Sequence, residues 1–481
     1  MQISKREFLK RLGLLGAAGA TGAAFGDEFI ATNKTLPPGA VGDPKNVWFG
    51  QRIYPIPHTI KDGPSSFLKD GKVFMPAREV PVFHETDVVV VGGGPAGFAA
   101  AVASARAGAR TALVEAAGSL GGLFTNGMVL IVLATGVRQE SGRWTLVTRG
   151  VCEEFMRRAR AMGCGASTQE DPADVRRHWQ PTVDPEGAKY LMDRMCEEAG
   201  VETFFHATGI DVIQDGAKVL GVVFQSKQGP QAVLSRQVVD CTGDGDVFFA
   251  AGCGYRQITH GIGYVTRLGN VDRVTATHPP KDPGVAYDGC SYPWPTRSNE
   301  GNGTTWWSGR LGPQGDGLNV RDLSKAEVLH RRFWWEHVAK MRQTPGWEKV
   351  YIANNCSMIG PRATRLLDAE LVVDRAAEAA RANEREVVGW FGNCGAHNGM
   401  ALSFRSLVPK TGENVLAAGR CLGAPDTVDT FRLIAPCFVS GQAAGIAAAL
   451  AAQKGLAPRA LAYADLRRAL EGQGVYLGSA C

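Results

Sequence analysis

No two of the eleven cysteines stand in C-x-x-C spacing, which argues against the zinc and iron–sulfur sites that use paired thiolates, and no metal site is expected. No basic run with interleaved aromatics follows the N-terminus. The net charge of +5 is partly owed to that terminus, so a nucleic-acid partner is not expected either. No stretch reads as a stable transmembrane span, and no internal repeat is present. Against these absences stands ordinary globular composition, 44% hydrophobic and 21% charged, in a chain of 481 residues with length for two or three cores. Glycine is the abundant residue: sixty of them imply many turns and close backbone approaches. Cys196, Cys241 and Cys437 fall in expected strands and helices and read as small buried hydrophobes, although an oxidising compartment would let some cysteines pair.

The chain begins "MQISKREFLKRLGLLGAAGATGAAFG", a basic start followed by an uncharged apolar run over residues 12–25. That is the pattern of an export signal, too short and too weakly apolar to cross a bilayer stably. Within it "SKREFLK" resembles a twin-arginine signal with Lys5 in place of the first arginine. That route carries folded proteins, which suits one that takes up a cofactor before leaving the cytoplasm. The competing reading is a frayed basic amphipathic terminus on a cytoplasmic protein. Residues 1–26 are therefore expected to be an export signal recognised by the twin-arginine machinery, residues 27–79 a lead-in, and the protein periplasmic or extracellular.

The first chemical motif is "TDVVVVGGGPAGFAAAVASARAGARTALVE", residues 86–115. A short β-branched run reads as a buried parallel strand and the alanine-rich run from Pro95 as a helix stopped by Gly108. Gly92, Gly94 and Gly97 then sit where strand turns into helix. Gly92 makes the tight turn, Gly94 lets a pyrophosphate approach the backbone, and Gly97 lets helix and strand pack closely. Pro95 and Ala96 open the helix, whose N-terminus offers unpaired N–H groups and positive potential. Glu115 ends the second strand, where its carboxylate can accept from two ribose hydroxyls. A plain glycine turn is the competing reading for the triplet alone; the order strand, turn, helix, strand and acid points to a dinucleotide.

Three later stretches extend this site. "GGLFTNG" brings Gly121 and Gly122 close after Glu115. "SRQVVDCTGDGDVFFAAGC" ends a strand in Thr242, Gly243 and Asp244, a turn of unusual dihedrals that can lie against a pyrophosphate, and "GENVLAAGRCLG" ends a strand in Gly419 and Arg420. With these motifs in this order, the sequence resembles the FAD-dependent oxidoreductases with the glutathione-reductase-type flavin fold, over residues 80 to about 476. The resemblance implies FAD as cofactor. It also implies that the helix from about Pro436, carrying Gly441 and Ala444, points its N-terminus at the pyrimidine end of the flavin, and that Ile210 lies where the family sets a backbone group against adenine.

The expected fold class is α/β: a glutathione-reductase-type, Rossmann-like FAD-binding domain with an inserted α+β substrate domain. The FAD-binding domain is expected over 80–253 and 400–460, the substrate or cap domain over 254–399, and a C-terminal segment over 461–481. Trp294, Trp306, Trp307, Trp334, Trp335 and Trp390 fall in the insert and read as core before they read as ring-stacking platforms. "LHRRFWWEHVAKMR" reads as an amphipathic helix. For the reaction, His397 corresponds to a histidine that relatives carry, although their acidic residue two positions earlier is Gly395 here. Arg405 and Arg432 are candidates for binding an oxyanion or carboxylate, with pairing to Asp426 or Asp429 as the competing reading; Arg362 and Arg365 have a similar structural reading. His260 and His337 are next in line as bases. The function expected is that of an exported FAD-dependent dehydrogenase taking hydride from a small-molecule substrate and passing electrons to an unidentified acceptor. Two alternatives stand beside it, reduction of an activated C=C bond and a flavin-containing scaffold without turnover.

Overall fold

Val88 to Val91 are at most 2% exposed, so both faces of this run are covered, as for a strand at the centre of a parallel sheet. The computed structural model describes residues 47–48, 51–52, 65–138, 144–165, 182–273, 305–310, 315–392 and 399–478. The chain divides into two units, Met1–Arg78 and Glu79–Cys481. In the first, Phe67–Lys69 pairs with Lys72–Phe74 across a turn in which Asp70 and Gly71 both have positive φ, the requirement of a tight two-residue hairpin.

In the second unit, strand β1 (Val82–Val91) leads into helix α1 (Pro95–Arg106), strand β2 (Thr111–Val114), helix α2 (Pro185–Ala199) and strand β3 (Glu202–Phe204). Strands β4 (Thr208–Asp215), β5 (Lys218–Ser226) and β6 (Gly229–Asp240) follow as an antiparallel meander. The end of β6 runs parallel to β1, with Asp240 opposite Val91, and strand β7 (Val415–Ala417) runs parallel to β6, with Ala417 opposite Asp240. The parallel order is therefore β7-β6-β1-β2-β3, and Val91, Val114, Asp240 and Ala417 leave the sheet at one edge. Ligands of open α/β sheets sit at that carboxyl edge.

Helix α3 (Ile434–Lys454) packs on α1 so closely that a Cβ at Gly441 would lie 2.0 Å from the Ala96 carbonyl oxygen, and one at Gly445 2.1 Å from that of Ala100. Among the described residues α3 is the one helix long and apolar enough to cross a membrane, but 94% of its most apolar window is buried inside the protein, as in a core helix. Gly441 and Ala444, expected at the cofactor, are thus buried between helices. The missing side chain of Gly441 serves the α1–α3 approach, and Ala444 is fully buried.

A second core forms around the strand Ile262–Gly269, which pairs antiparallel with Thr305–Arg310, Tyr351–Asn355 and Gly360–Pro361. The helix Val320–Arg342 covers it with Phe333, Trp334, Val338 and Met341. Trp334 is fully buried there, Trp335 is 72% exposed, and Trp294 lies outside the described residues. His337 is buried in this core, stacked on Phe333. From Leu367 onward the chain, including Val388 and Phe391, packs mainly in the first core, while Val428 joins Ala363 and Leu366 in a small separate cluster.

Candidate active site

A cavity of about 410 Å³ opens at the carboxyl edge, bounded by the turn after β1, the end of β2, the turn after β6 and the turn after β7. The glycines of the first turn have different surroundings. Gly92 has a φ of +94°, and a Cβ there would lie 2.5 Å from the Cys241 carbonyl oxygen, so only glycine fits. A Cβ on Gly97 would lie 1.7 Å from the Gly92 carbonyl oxygen, which forbids any side chain between helix and strand. Gly94 differs: it lines the cavity, and a Cβ there would meet nothing within 4 Å. Gly94 is the N-cap of α1 and has no side-chain cap, leaving first-turn N–H groups, Ala96 among them, without intrahelical acceptors at the cavity.

Glu115 is 5% exposed and lines the cavity. Its Oε2 accepts from the Gly93 N–H at 2.5 Å and its Oε1 from the Ala117 N–H at 2.7 Å. Each oxygen retains room for a second donor, which matches a pair of ribose hydroxyls. Gly93 is a member of the site that the sequence reading passed over: a Cβ there would lie 2.9 Å from Glu115 Oε2, so the middle glycine of the triplet admits the carboxylate.

The turn after β6 is held by Asp240, which the sequence reading also passed over. Its Oδ1 accepts from the Thr242 N–H at 3.0 Å and the Thr242 hydroxyl at 2.7 Å, and its Oδ2 from the N–H groups of Val247 at 3.0 Å and Phe248 at 2.9 Å. Complete burial pushes this carboxyl up to about 6 against those donors. Thr242, Gly243 and Asp244 line the cavity from this turn. Asp244 pairs with Arg420 at 2.7 Å, and Gly243, with a φ of +83°, makes room for the same guanidinium. Arg420 Nη1 is buried with no partner while the residue lines the cavity beside Gly419, a donor left over for an anionic ligand. Cys241 and Cys437 also line it; burial drives both thiols up, that of Cys437 to about 12, so they are neutral small hydrophobes there.

Besides Gly97, Gly441 and Ala444, three further expected residues lie off the cavity. Gly121 has a φ of +104° and donates its N–H to the Gly93 carbonyl at 2.8 Å, shaping the loop from which Gly122 reaches the cavity. Ile210 is 52% exposed on β4, and Ala207, Thr208 and Gly209 line the cavity in its place. Arg405 is bound elsewhere: Glu386 takes its Nε at 2.5 Å and its Nη2 at 3.0 Å, while Glu370 takes its Nη1 at 3.1 Å. Two carboxylates occupy its donors, so Arg405 is a structural cation.

The far wall comes from remote segments. Gly317, Leu323, Met358, Ile359 and Pro361 line it together with Arg432 and Ile434. Arg432 donates from Nε at 2.7 Å and Nη2 at 2.6 Å to Asp429 Oδ1, the oxygen that His260 Nε2 meets at 3.2 Å. His260 Nδ1 accepts from the Gly261 N–H at 2.7 Å, which assigns the ring proton to Nε2 and makes it the donor to Asp429. Burial holds His260 below its ordinary value. Burial also raises Asp429, but Arg432 and His260 outweigh it and hold the carboxyl low. At neutral pH an Asp429 anion therefore lies between a guanidinium and a neutral imidazole. Arg365, paired with Asp246 and packed over Phe249, is structural, and His397 lies outside the described residues.

Residues 87–392 and 393–470 match the family described as FAD dependent oxidoreductase. The chain belongs to that family. This FAD-dependent oxidoreductase also shares 54% identity over 49 residues with dihydrolipoyl dehydrogenase of Trypanosoma brucei brucei, a match that spans 10% of each chain. Similar solved structures include a geranylgeranyl bacteriochlorophyll reductase-like protein from Thermoplasma acidophilum, 14% identical with a TM-score of 0.41 over 81% of this chain and 82% of that one. Another is p-nitrophenol 4-monooxygenase from Pseudomonas putida, 13% identical with a TM-score of 0.42 over 82% and 89%. The cavity fits the cofactor on its own evidence. The open side of Gly94 at an uncapped helix N-terminus would hold a pyrophosphate, Glu115 the ribose hydroxyls, and the orphaned Arg420 Nη1 an acceptor.

Proposed function

We propose that this oxidoreductase is a dehydrogenase of the glutathione-reductase-type flavin fold, taking hydride from a small molecule that carries a carboxylate or other oxyanion. The observation that carries the reading is Arg432 in the cavity wall, with Nε and Nη2 held by Asp429 and the rest of the guanidinium left to a ligand. The β7-β6-β1-β2-β3 order with the β4–β6 meander supports the fold assignment. Bound FAD supplies a two-electron acceptor, and orientation and proton handling fall to the protein. Asp429, itself oriented by His260, fixes the Arg432 fork so that a substrate oxyanion has a single docking geometry. Leu323, Met358, Ile359 and Pro361 make that wall apolar and exclude water from the reacting C–H. The uncapped N-terminus of α3 at Ile434 supplies positive potential at the same end. His397 is the proposed proton acceptor, on the family resemblance of its segment; His260 is poorly suited, since both ring nitrogens are engaged.

Anaerobic mixing with a panel of hydroxy, amino and unsaturated acids tests this, by bleaching of the flavin band near ~450 nm. Bleaching by a saturated acid supports dehydrogenation. Reoxidation of the pre-reduced enzyme by unsaturated acids alone, with no donor active, sinks it in favour of the reductase. Export by the twin-arginine route is part of the proposal and rests on residues 4–10 and 12–25. Replacing Lys5 and Arg6 by Gln should leave a flavin-loaded precursor in the cytoplasm, and unchanged fractionation rejects the route.

A further inference from the structure

The helix Val320–Arg342 buries Phe333, Trp334, His337 and Met341 on one side. At 100° per residue the opposite side runs through Arg321, Lys325, Val328, Arg332, Trp335 and Arg342, all exposed. Of the acids on this helix, Asp322 and Glu327 are half-buried, with Glu327 bound to Arg331, and Glu336 alone is exposed on the outer side, beside Arg332, so the face stays net basic. Trp335 at 72% and Val328 at 53% exposure are apolar surface set among cations. A surface helix of this kind ordinarily presents only polar residues outward.

We propose that this outer face docks the protein on an anionic lipid surface. The cations draw phosphate headgroups, while Trp335 and Val328 enter the boundary between headgroups and acyl chains, the depth an indole prefers. From Arg321 to Arg342 the line is about 30 Å long, so the helix lies along the surface. A second copy centred on this line is disfavoured, because the antiparallel pairing that sets Arg321 against Arg342 also sets Arg332 against Arg331. An acidic protein would answer the charges but gives Trp335 no reason to be apolar. The inference is independent of the reaction assigned to the cavity.

The test uses the full-length, flavin-loaded protein with vesicles of phosphatidylcholine alone or containing a quarter phosphatidylglycerol. The anionic vesicles should bind it at least tenfold more tightly, and high salt should abolish the difference. Because the cations supply the preference for anionic vesicles, Lys325→Glu with Arg332→Glu should abolish it, weakening binding to those vesicles at least tenfold and leaving flavin absorbance unchanged. Brominated lipid should quench tryptophan emission in the native protein and fail to do so in Trp335→Phe. Equal binding of the double variant, which would place attachment on another basic segment, overturns the proposal. So does a native protein that ignores both vesicles, whether or not it binds an acidic protein.

Discussion

The two ends of the cavity are built from different materials. At the sheet edge the surface is main chain: Gly92, Gly94 and Gly419, with Glu115 and Arg420 reaching in from fixed backbone. At the far wall it is side chains brought together from residues 317–323, 358–361 and 432–437. A main-chain surface recognises what every flavin nucleotide has, phosphates and ribose, and an atom added at its open side takes the ligand's place. A side-chain wall recognises what one substrate has, and it can change without disturbing the fold.

Variants that confuse these materials should have the largest effects. Gly97→Val forces a side chain into the Gly92 carbonyl, where neither backbone can yield, and should cost ~3 kcal/mol or more and give colourless, poorly soluble protein; urea melting checks it. A folded, yellow Gly97→Val protein would break the distinction between the contact glycine and the cavity glycine. Arg432→Ala touches only the wall. It should keep full flavin and raise the substrate concentration needed by about 10- to 100-fold, read by stopped-flow bleaching. Arg405→Ala should leave those kinetics unchanged and lower stability by about 1 kcal/mol, in keeping with its place outside the cavity.

Asp240 sharpens the comparison through pH. The native state keeps its proton up to about 6, whereas an unfolded aspartate releases it near ~3.9. Between those values the folded protein binds more protons, so this group's contribution to stability falls as pH rises, by on the order of 2 kcal/mol from pH 4 to 7. Carboxylates held low, such as Asp87 and Glu154, act in the opposite sense, so the readout is the difference between native protein and Asp240→Asn. That difference should slope with pH in urea titrations; a flat difference would mean that Asp240 stays ionised throughout.

The sheet edge was legible in the sequence because its requirements are local. Glycines at Gly92, Gly94 and Gly97 and an acid at Glu115 are dictated by one strand–turn–helix–strand unit. Even there, Gly441 of α3 was expected at the cofactor and packs against Ala96, since a helical glycine that admits a ligand and one that admits a neighbouring helix look alike in sequence. Asp240 left a usable signal, a charge ending an apolar strand just before a glycine turn. The wall left almost none. His260 meets Asp429 across 169 residues, and Arg405 finds Glu370 and Glu386 at separations of 35 and 19, so a local reading could not tell which arginine was committed and which faced the cavity.

Gly94→Val is the most direct test that the main-chain edge holds the cofactor. Its φ of −64° and the empty space around its Cβ let valine fit the fold, while the added methyls occupy the cavity at the helix N-terminus. Flavin absorbance per polypeptide, measured beside a thermal melt of protein refolded without cofactor, should fall to a few per cent of native at ~450 nm with an unchanged apo-protein midpoint. Full flavin occupancy in folded Gly94→Val would contradict the assignment of this edge to the cofactor.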